Sequence, residues 1–91
     1  MVGRGAYDEA AMNAIGYSFL GEGKKREAIE TFKINAAAYP ESWNVWDSLG
    51  EAYMESGDTE EAVRCYEKSL ALNPANENGR EMLRRIRTRS E

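Results

Sequence analysis

Slide this chain 34 residues along itself and two stretches fall into register. Met12 lands on Trp46, Ile15 on Leu49, Gly16 on Gly50 and Phe19 on Tyr53. Gly23 lands on Gly57, Ala28 on Ala62, Phe32 on Tyr66 and Pro40 on Pro74. Every matched position is small, aromatic, large and apolar, or proline. A period of this length carrying these residue types is the signature of a helical repeat, whose units stack because one alone cannot bury its apolar face.

Each unit reads as two helices. Asp8 can cap the first, whose broad apolar face holds Met12, Ile15, Tyr17, Phe19 and Leu20. Gly21 and Gly23 stop it, since glycine takes positive φ at little cost. The second helix covers Lys24 to Ala38, with Ala28, Ile29, Phe32, Ala36 and Tyr39 on one face. Its opening Lys24-Lys25-Arg26 reads as a solvated turn. Pro40 ends it, because proline lacks an N–H and restricts the residue before it. The third helix runs from Trp43 to about Glu55, capped by Ser42 and closed by Gly57. Asp58-Thr59-Glu60-Glu61 has the spacing of a capping box opening the fourth. Its expected buried face is Ala62, Val63, Tyr66, Leu70 and Leu72. Asn76 should cap a fifth helix ending near Arg87.

Gly16 and Gly50 stand inside helices, where glycine costs roughly 1 kcal/mol against alanine. That cost makes sense where two helices cross closely. Ala28 and Ala62 are expected to face the glycines, with Phe19, Phe32, Tyr53 and Tyr66 filling the space beside the crossing. Trp46 is expected in the core. Trp43 is expected to pack over the turn beside Tyr39 and Pro40; an exposed Trp43 would mark a contact surface. A further shift of 34 from Trp46, Gly50 and Tyr53 lands on Arg80, Arg84 and Arg87. The repeat therefore lapses into a helix apolar on one side (Met82, Leu83, Ile86) and arginine-rich on the other, as a terminal capping element is.

These elements define an all-α fold: an α-solenoid of two helical hairpins plus a capping helix, five helices in a single domain over 1–91. The expected divisions are a flexible lead-in at 1–7, repeats at 8–42 and 43–76, the cap at 77–88 and a frayed tail at 89–91. No apolar run is long enough to span a membrane, and the start lacks the apolar core of a secretory signal. A soluble protein is expected, with the cytoplasm favoured. Net charge is −4, which speaks against bulk nucleic-acid binding. The chain has no histidine, so it lacks the commonest general base and metal ligand, and its lone Cys65 reads as a structural thiol. No catalytic residue, cofactor or metal is expected. Asp47 and Glu51, one turn apart, read as a solvated acidic face, with weak cation chelation the lesser alternative.

The stretch resembles the tetratricopeptide repeat (TPR) family through Trp46, Leu49, Gly50, Tyr53, Ala62, Tyr66 and Pro74. Ser69 stands where the family prefers alanine. The first repeat is looser, with Met12 for the Trp and Asn35 for the late Ala. The resemblance implies a right-handed superhelix, a concave face lined by the first helices, and a role as a protein-interaction scaffold. On that face it implies Ala10, Asn13, Ala14 and Tyr17, then Asn44, Asp47, Ser48 and Glu51, then Asn78, Glu81 and Arg85. Of these, Asn13, Tyr17, Asn44, Asp47, Ser48, Glu51, Glu81 and Arg85 are the candidate peptide-binding residues. Members that grip a C-terminal carboxylate present Lys, Arg and Asn there; Asp47 and Glu51 stand at the middle of this face, so that clamp is not carried over. An acidic floor would prefer a basic or neutral peptide.

The Pro40-Glu41-Ser42 and Pro74-Ala75-Asn76 turns, with the helix from Arg80 to Ile86, are also similar to short TPR tails of bacterial hydrolases, β-lactamase-like serine hydrolases among them. That implies a domain fragment acting as an appendage on an upstream enzyme. Residues 41–67 carry eight acidic residues and one basic, and residues 77–91 five arginines and three glutamates. This segregation fits a capping helix with cations at its end, or weak homodimer contact between basic tail and acidic middle.

Overall fold

The computed structural model describes residues 8–90. The expected lead-in at 1–7 and Glu91 lie outside the described residues. Five α-helices follow one another: α1 (Glu9–Gly21), α2 (Lys25–Ala38), α3 (Trp43–Glu55), α4 (Thr59–Leu72) and α5 (Glu77–Ser90). α1 packs on α2 and α3 on α4 as antiparallel hairpins; α2 then packs on α3, α4 on α5, and α1 more lightly on α3. The result is a slab of 48 × 29 × 16 Å. The all-α architecture of two hairpins and a fifth helix matches expectation, although α5 continues to Ser90, past Arg87.

The turn inside each hairpin is built twice in the same way. Gly23 has φ 79° and Gly57 φ 86°. The following backbone N–H reaches back to the helix it leaves: Lys24 N to Phe19 O and Asp58 N to Tyr53 O, both 2.9 Å. This 6→1 bond satisfies a carbonyl the helix would otherwise leave open, and it requires the left-handed glycine before it.

Two of the expected caps take a different form. Asp8 does cap α1, its Oδ1 accepting from Ala11 N at 2.9 Å, because its backbone is extended with ψ 179°. Asp58 has ψ 74°, the same value as Lys24 in the first repeat, and makes no side-chain cap bond. The turn that places its N–H on Tyr53 holds its backbone away from the capping conformation, so the capping box does not form. Glu61 pairs instead with Arg64 at 2.8 Å. Ser42 does not cap α3 with its side chain either. Its hydroxyl donates to Glu9 Oε2 of α1, a partner 33 residues away.

The crossing of each hairpin is set by a glycine and a ring. A Cβ added at Gly16 would lie 2.3 Å from the Phe32 ring, and one added at Gly50 would lie 3.0 Å from Tyr66. The aromatics, expected beside the crossing, are the side chains that fill the notch. Phe32, Tyr66, Ala28 and Ala62 are all fully buried. The core continues through α2, α3 and α4 by way of Ala36, Val45, Leu49, Ala52 and Cys65. A second layer joins Ala62 and Tyr66 to Leu83 and Ile86 of α5.

Three apolar positions differ from expectation. Val45 is fully buried, while Trp46 is half-buried with its Nε1 donating to Pro40 O at 2.8 Å. The indole thus ties α3 to the turn rather than filling the core. Leu72 is exposed at the last residue of α4, and Cys65 and Ser69 occupy the buried stripe there. Trp43 is 38% exposed and Ile34 60%.

The two notches differ in tightness, and a substitution separates them. Gly16→Ala gains helix propensity but must displace a ring with no free volume around it, so it is expected to destabilise by about 1–3 kcal/mol. Gly50→Ala needs only a few tenths of an ångström from Tyr66, and its loss should be clearly smaller. Urea unfolding midpoints of the two variants read the difference; equal midpoints would refute the notch model.

Candidate functional site

The first helices of successive units present the candidate inner face, and most of that face is bonded to itself. Tyr17 OH on α1 donates to Glu51 Oε1 on α3 at 2.8 Å and lies 3.3 Å from Ser48 Oγ. Ser48 Oγ donates to Asn13 Oδ1 at 2.6 Å. The Tyr17 ring meets Phe32 edge-on, with centroids 5.1 Å apart. Burial first, and then the field of Glu51 and Asp47, pushes the Tyr17 phenol far above its ordinary range; the Ser48 hydrogen bond pulls the other way. Tyr17 is therefore a protonated donor that staples α1 to α3.

Asp47 has a stronger anchoring role. It is only 8% exposed, and Ser48 only 2%. Asp47 Oδ2 accepts from Asn76 Nδ2 at 2.8 Å, and Asn78 Nδ2 approaches both carboxylate oxygens at 3.1 and 3.2 Å. Asn76 in turn donates to Ser69 Oγ at 2.9 Å, and Ser69 donates to Trp43 O at 2.8 Å. Asn76 Oδ1 accepts from Gly79 N and so caps α5 as expected. A Cβ at residue 79 would come within 2.7 Å of Asn76 Nδ2, which is why a glycine stands there. This chain of bonds docks α5 on the second hairpin.

Within the expected face, Asp47 and Ser48 are nearly buried and bonded to partners beyond their own helix. Both Asp47 oxygens accept from Asn76 or Asn78, and among the described residues no three acidic, cysteine or histidine side chains converge as a metal site. Glu81 and Arg85 bond to each other along α5 at 3.1 Å, and Glu81 also takes Arg84 at 2.6 Å. Hydrogen bonds from Arg84 and Arg85 hold the Glu81 carboxyl below its usual range. Arg87 reaches Glu67 of α4 at 3.1 Å, so part of the segregated charge is spent inside the chain. Asn44 is half-buried and lines a shallow cavity with Glu9, Asn13 and Tyr39.

What remains open is a groove of about 450 Å³ between α3 and α5, lined by Glu51, Met54, Glu55, Tyr66, Asn78, Met82 and Arg89. Met54, Met82 and Arg89 were missed by sequence reasoning. Arg89 fell in the expected tail, while Met54, which falls on Leu20 of the first unit, and Met82 read only as apolar packing positions. Tyr66 OH is buried at this groove with no hydrogen-bond partner among the described residues. Burial and the fields of Asp47 and Glu51 push its phenol far up.

Stacked hairpins with glycine–aromatic crossings define the class: a helical-repeat protein. Residues 43–76 match the family model described as the tetratricopeptide repeat, so the chain carries a repeat of that kind. It is 34% identical over 59 residues to human superkiller complex protein 3, a match covering 65% of this chain and 4% of that protein. The mouse protein of the same name matches to the same extent. A chloroplastic tetratricopeptide repeat domain-containing protein of Arabidopsis thaliana, PYG7, is 29% identical over 68 residues, 75% of this chain and 23% of that protein. The chain thus spans only a small part of the length of these relatives. Domains of this family generally work as protein–protein interaction modules. No described helix is long and apolar enough to cross a membrane.

Two measurements test this division into scaffold and surface. Asp47→Ala removes one of the two acceptors of the buried Asn76 amide and the acceptor of Asn78 and is expected to cost about 2–3 kcal/mol, whereas Glu51→Ala, on a half-buried rim, should cost less than about 1 kcal/mol. Chemical denaturation followed by circular dichroism compares them. The second concerns Cys65, whose thiol burial pushes up from 9.0 to about 12. The folded state then holds a proton the unfolded chain releases, so this contribution is intact below about pH 9 and lost as pH rises toward 12. The unfolding midpoint should fall between pH 9 and 11, and Cys65→Ala should flatten part of that fall.

Proposed function

We propose that the chain is a non-catalytic scaffold module that binds a neutral or basic protein segment in the groove between α3 and α5. The single observation that carries this reading is the lining of that groove. Two methionines, Met54 and Met82, supply adaptable apolar surface. Glu51 accepts from Tyr17 with one oxygen, the other has no hydrogen bond among the described residues, and Glu55 is exposed beside it. Two carboxylates against Arg89 leave the lining mildly acidic, which selects against acidic ligands. Asn78, whose Nδ2 is held by Asp47, adds its amide oxygen as an acceptor for a backbone N–H of the partner.

A second reading, a structural appendage that docks on or dimerises a larger domain, draws on exposed Ile34, Trp43 and Leu72. Sedimentation of the 91-residue chain tests it: a monomer at all accessible concentrations removes the dimer form of that reading. For the groove, peptides with a central Leu flanked by Lys, Ser or Glu are titrated into labelled protein. The Lys and Ser peptides are expected to move the Glu51, Met54 and Met82 signals, and Glu51→Gln with Glu55→Gln should weaken the Lys peptide about tenfold. Stronger binding by the Glu peptide at this groove would overturn the reading.

A further inference from the structure

The opposite side of the stack carries a feature that the inner groove does not use. α2 and α4 each lean on α3 and have almost no packing against one another. Between them lies a trough of about 570 Å³. α3 floors it with Trp46, Leu49 and Tyr53, at steps of three and four residues that bring them onto one face. Ala36, Ala37 and Pro40 form one wall, and Cys65 lies on the other. The Trp46 N–H is already taken by Pro40 O, so the indole offers only its apolar faces to the trough.

The rim is charged, and its sign opposes that of the chain. Lys33, Arg64 and Lys68 stand there against one carboxylate, Glu61. Glu61 is held by Arg64 at 2.8 Å. Lys33 and Lys68 make no ion pair among the described residues; Lys68 Nζ sits 5.7 Å from the centre of the Trp46 ring. Two cations without a close ion pair among the described residues, Lys33 reaching Glu61 only through its longer-range field, therefore flank an apolar floor in a chain whose net charge is −4. Surface lysines are ordinary when they project into solvent. Here they border an apolar depression about two helical turns long, roughly 10 Å at 1.5 Å per residue. Length, apolar floor and cationic rim together match the apolar face of a short helix whose flanks are acidic.

We propose that this outer trough is a second docking surface, occupied by an acidic amphipathic segment of a partner protein. The segment lays apolar side chains one turn apart over Trp46, Leu49 and Tyr53 and sets carboxylates against Lys33 and Lys68. Its ligand is opposite in charge to the one proposed for the inner groove, and the two surfaces stand or fall separately.

The test titrates the full chain with a synthetic helix of about a dozen residues, carrying Leu at helical spacing and Glu on both flanks, and with a control bearing Lys in place of Glu. Trp43→Phe isolates the Trp46 emission, and amide and indole shifts locate the contact. The Glu peptide is expected to shift Trp46 and the Lys33 and Lys68 signals while leaving Glu51 and Asn78 still. Lys33→Glu with Lys68→Glu, both on exposed residues, should weaken it about tenfold with the unfolding midpoint unchanged, and added salt should weaken it as well. Equal binding of the Lys control, indifference to the double variant, shifts confined to the inner groove, or no binding at millimolar peptide would each overturn the proposal.

Discussion

A missing methyl group is what lets each hairpin close. At Gly16 and Gly50 the absence of Cβ admits the ring of Phe32 or Tyr66 into the helix crossing. A larger side chain would hold the helices of each hairpin apart, and at Gly16 even a methyl group meets the Phe32 ring. Everything further out inherits that distance. Val45, Leu49 and Ala52 are buried because α2 lies close enough to cover them, and Leu83 and Ile86 because α4 does the same for α5. Two helix-weakening residues are kept because ring burial, of the order of a few kcal/mol, exceeds the roughly 1 kcal/mol that each glycine costs.

Polar bonding does the work of apolar packing on the inner side. The Tyr17 hydroxyl bonds from the first repeat to the second, and the Asp47 carboxylate ties the second repeat to the cap and first turn of α5. This explains why the fifth helix can be so rich in arginine and still dock. Its buried stripe is short, but Asn76 and Asn78 bring two amides to one carboxylate, and a hydrogen bond to a charged group is worth more than a neutral one. The binding capacity of the face is correspondingly reduced to the groove beyond Glu51.

The fold was legible because the 34-residue period names scaffold positions directly: a glycine (Gly16, Gly50), a ring further on (Phe32, Tyr66), a proline at the hairpin's end (Pro40, Pro74). Helix limits followed from Gly23, Gly57 and the prolines. The site was less legible because subtraction was the only tool. Residues not needed by the repeat were taken as free for function, yet Asp47 and Ser48 are committed to partners 29 to 35 residues away, which no local pattern displays. The caps failed for a related reason. Ser42 and Asp58 have capping side chains, but Glu9 claims the first and the backbone turn disqualifies the second. Ser69 and Asn76 did carry a signal. Both are small polar residues at buried positions, and a buried hydroxyl or amide implies a partner to be found.

The division between a bonded inner face and a sparsely packed outer one also sets how the slab bends. Hydrogen bonds between α1 and α3, and between α3 and the start of α5, resist stretching along one side. α2 and α4 oppose each other across open space and resist little. α3 is then the line about which the stack flexes, and curvature changes cost least where the outer helices swing together or apart. A repeat of this kind is stiff as a template and compliant as a clamp, depending on the side from which it is loaded.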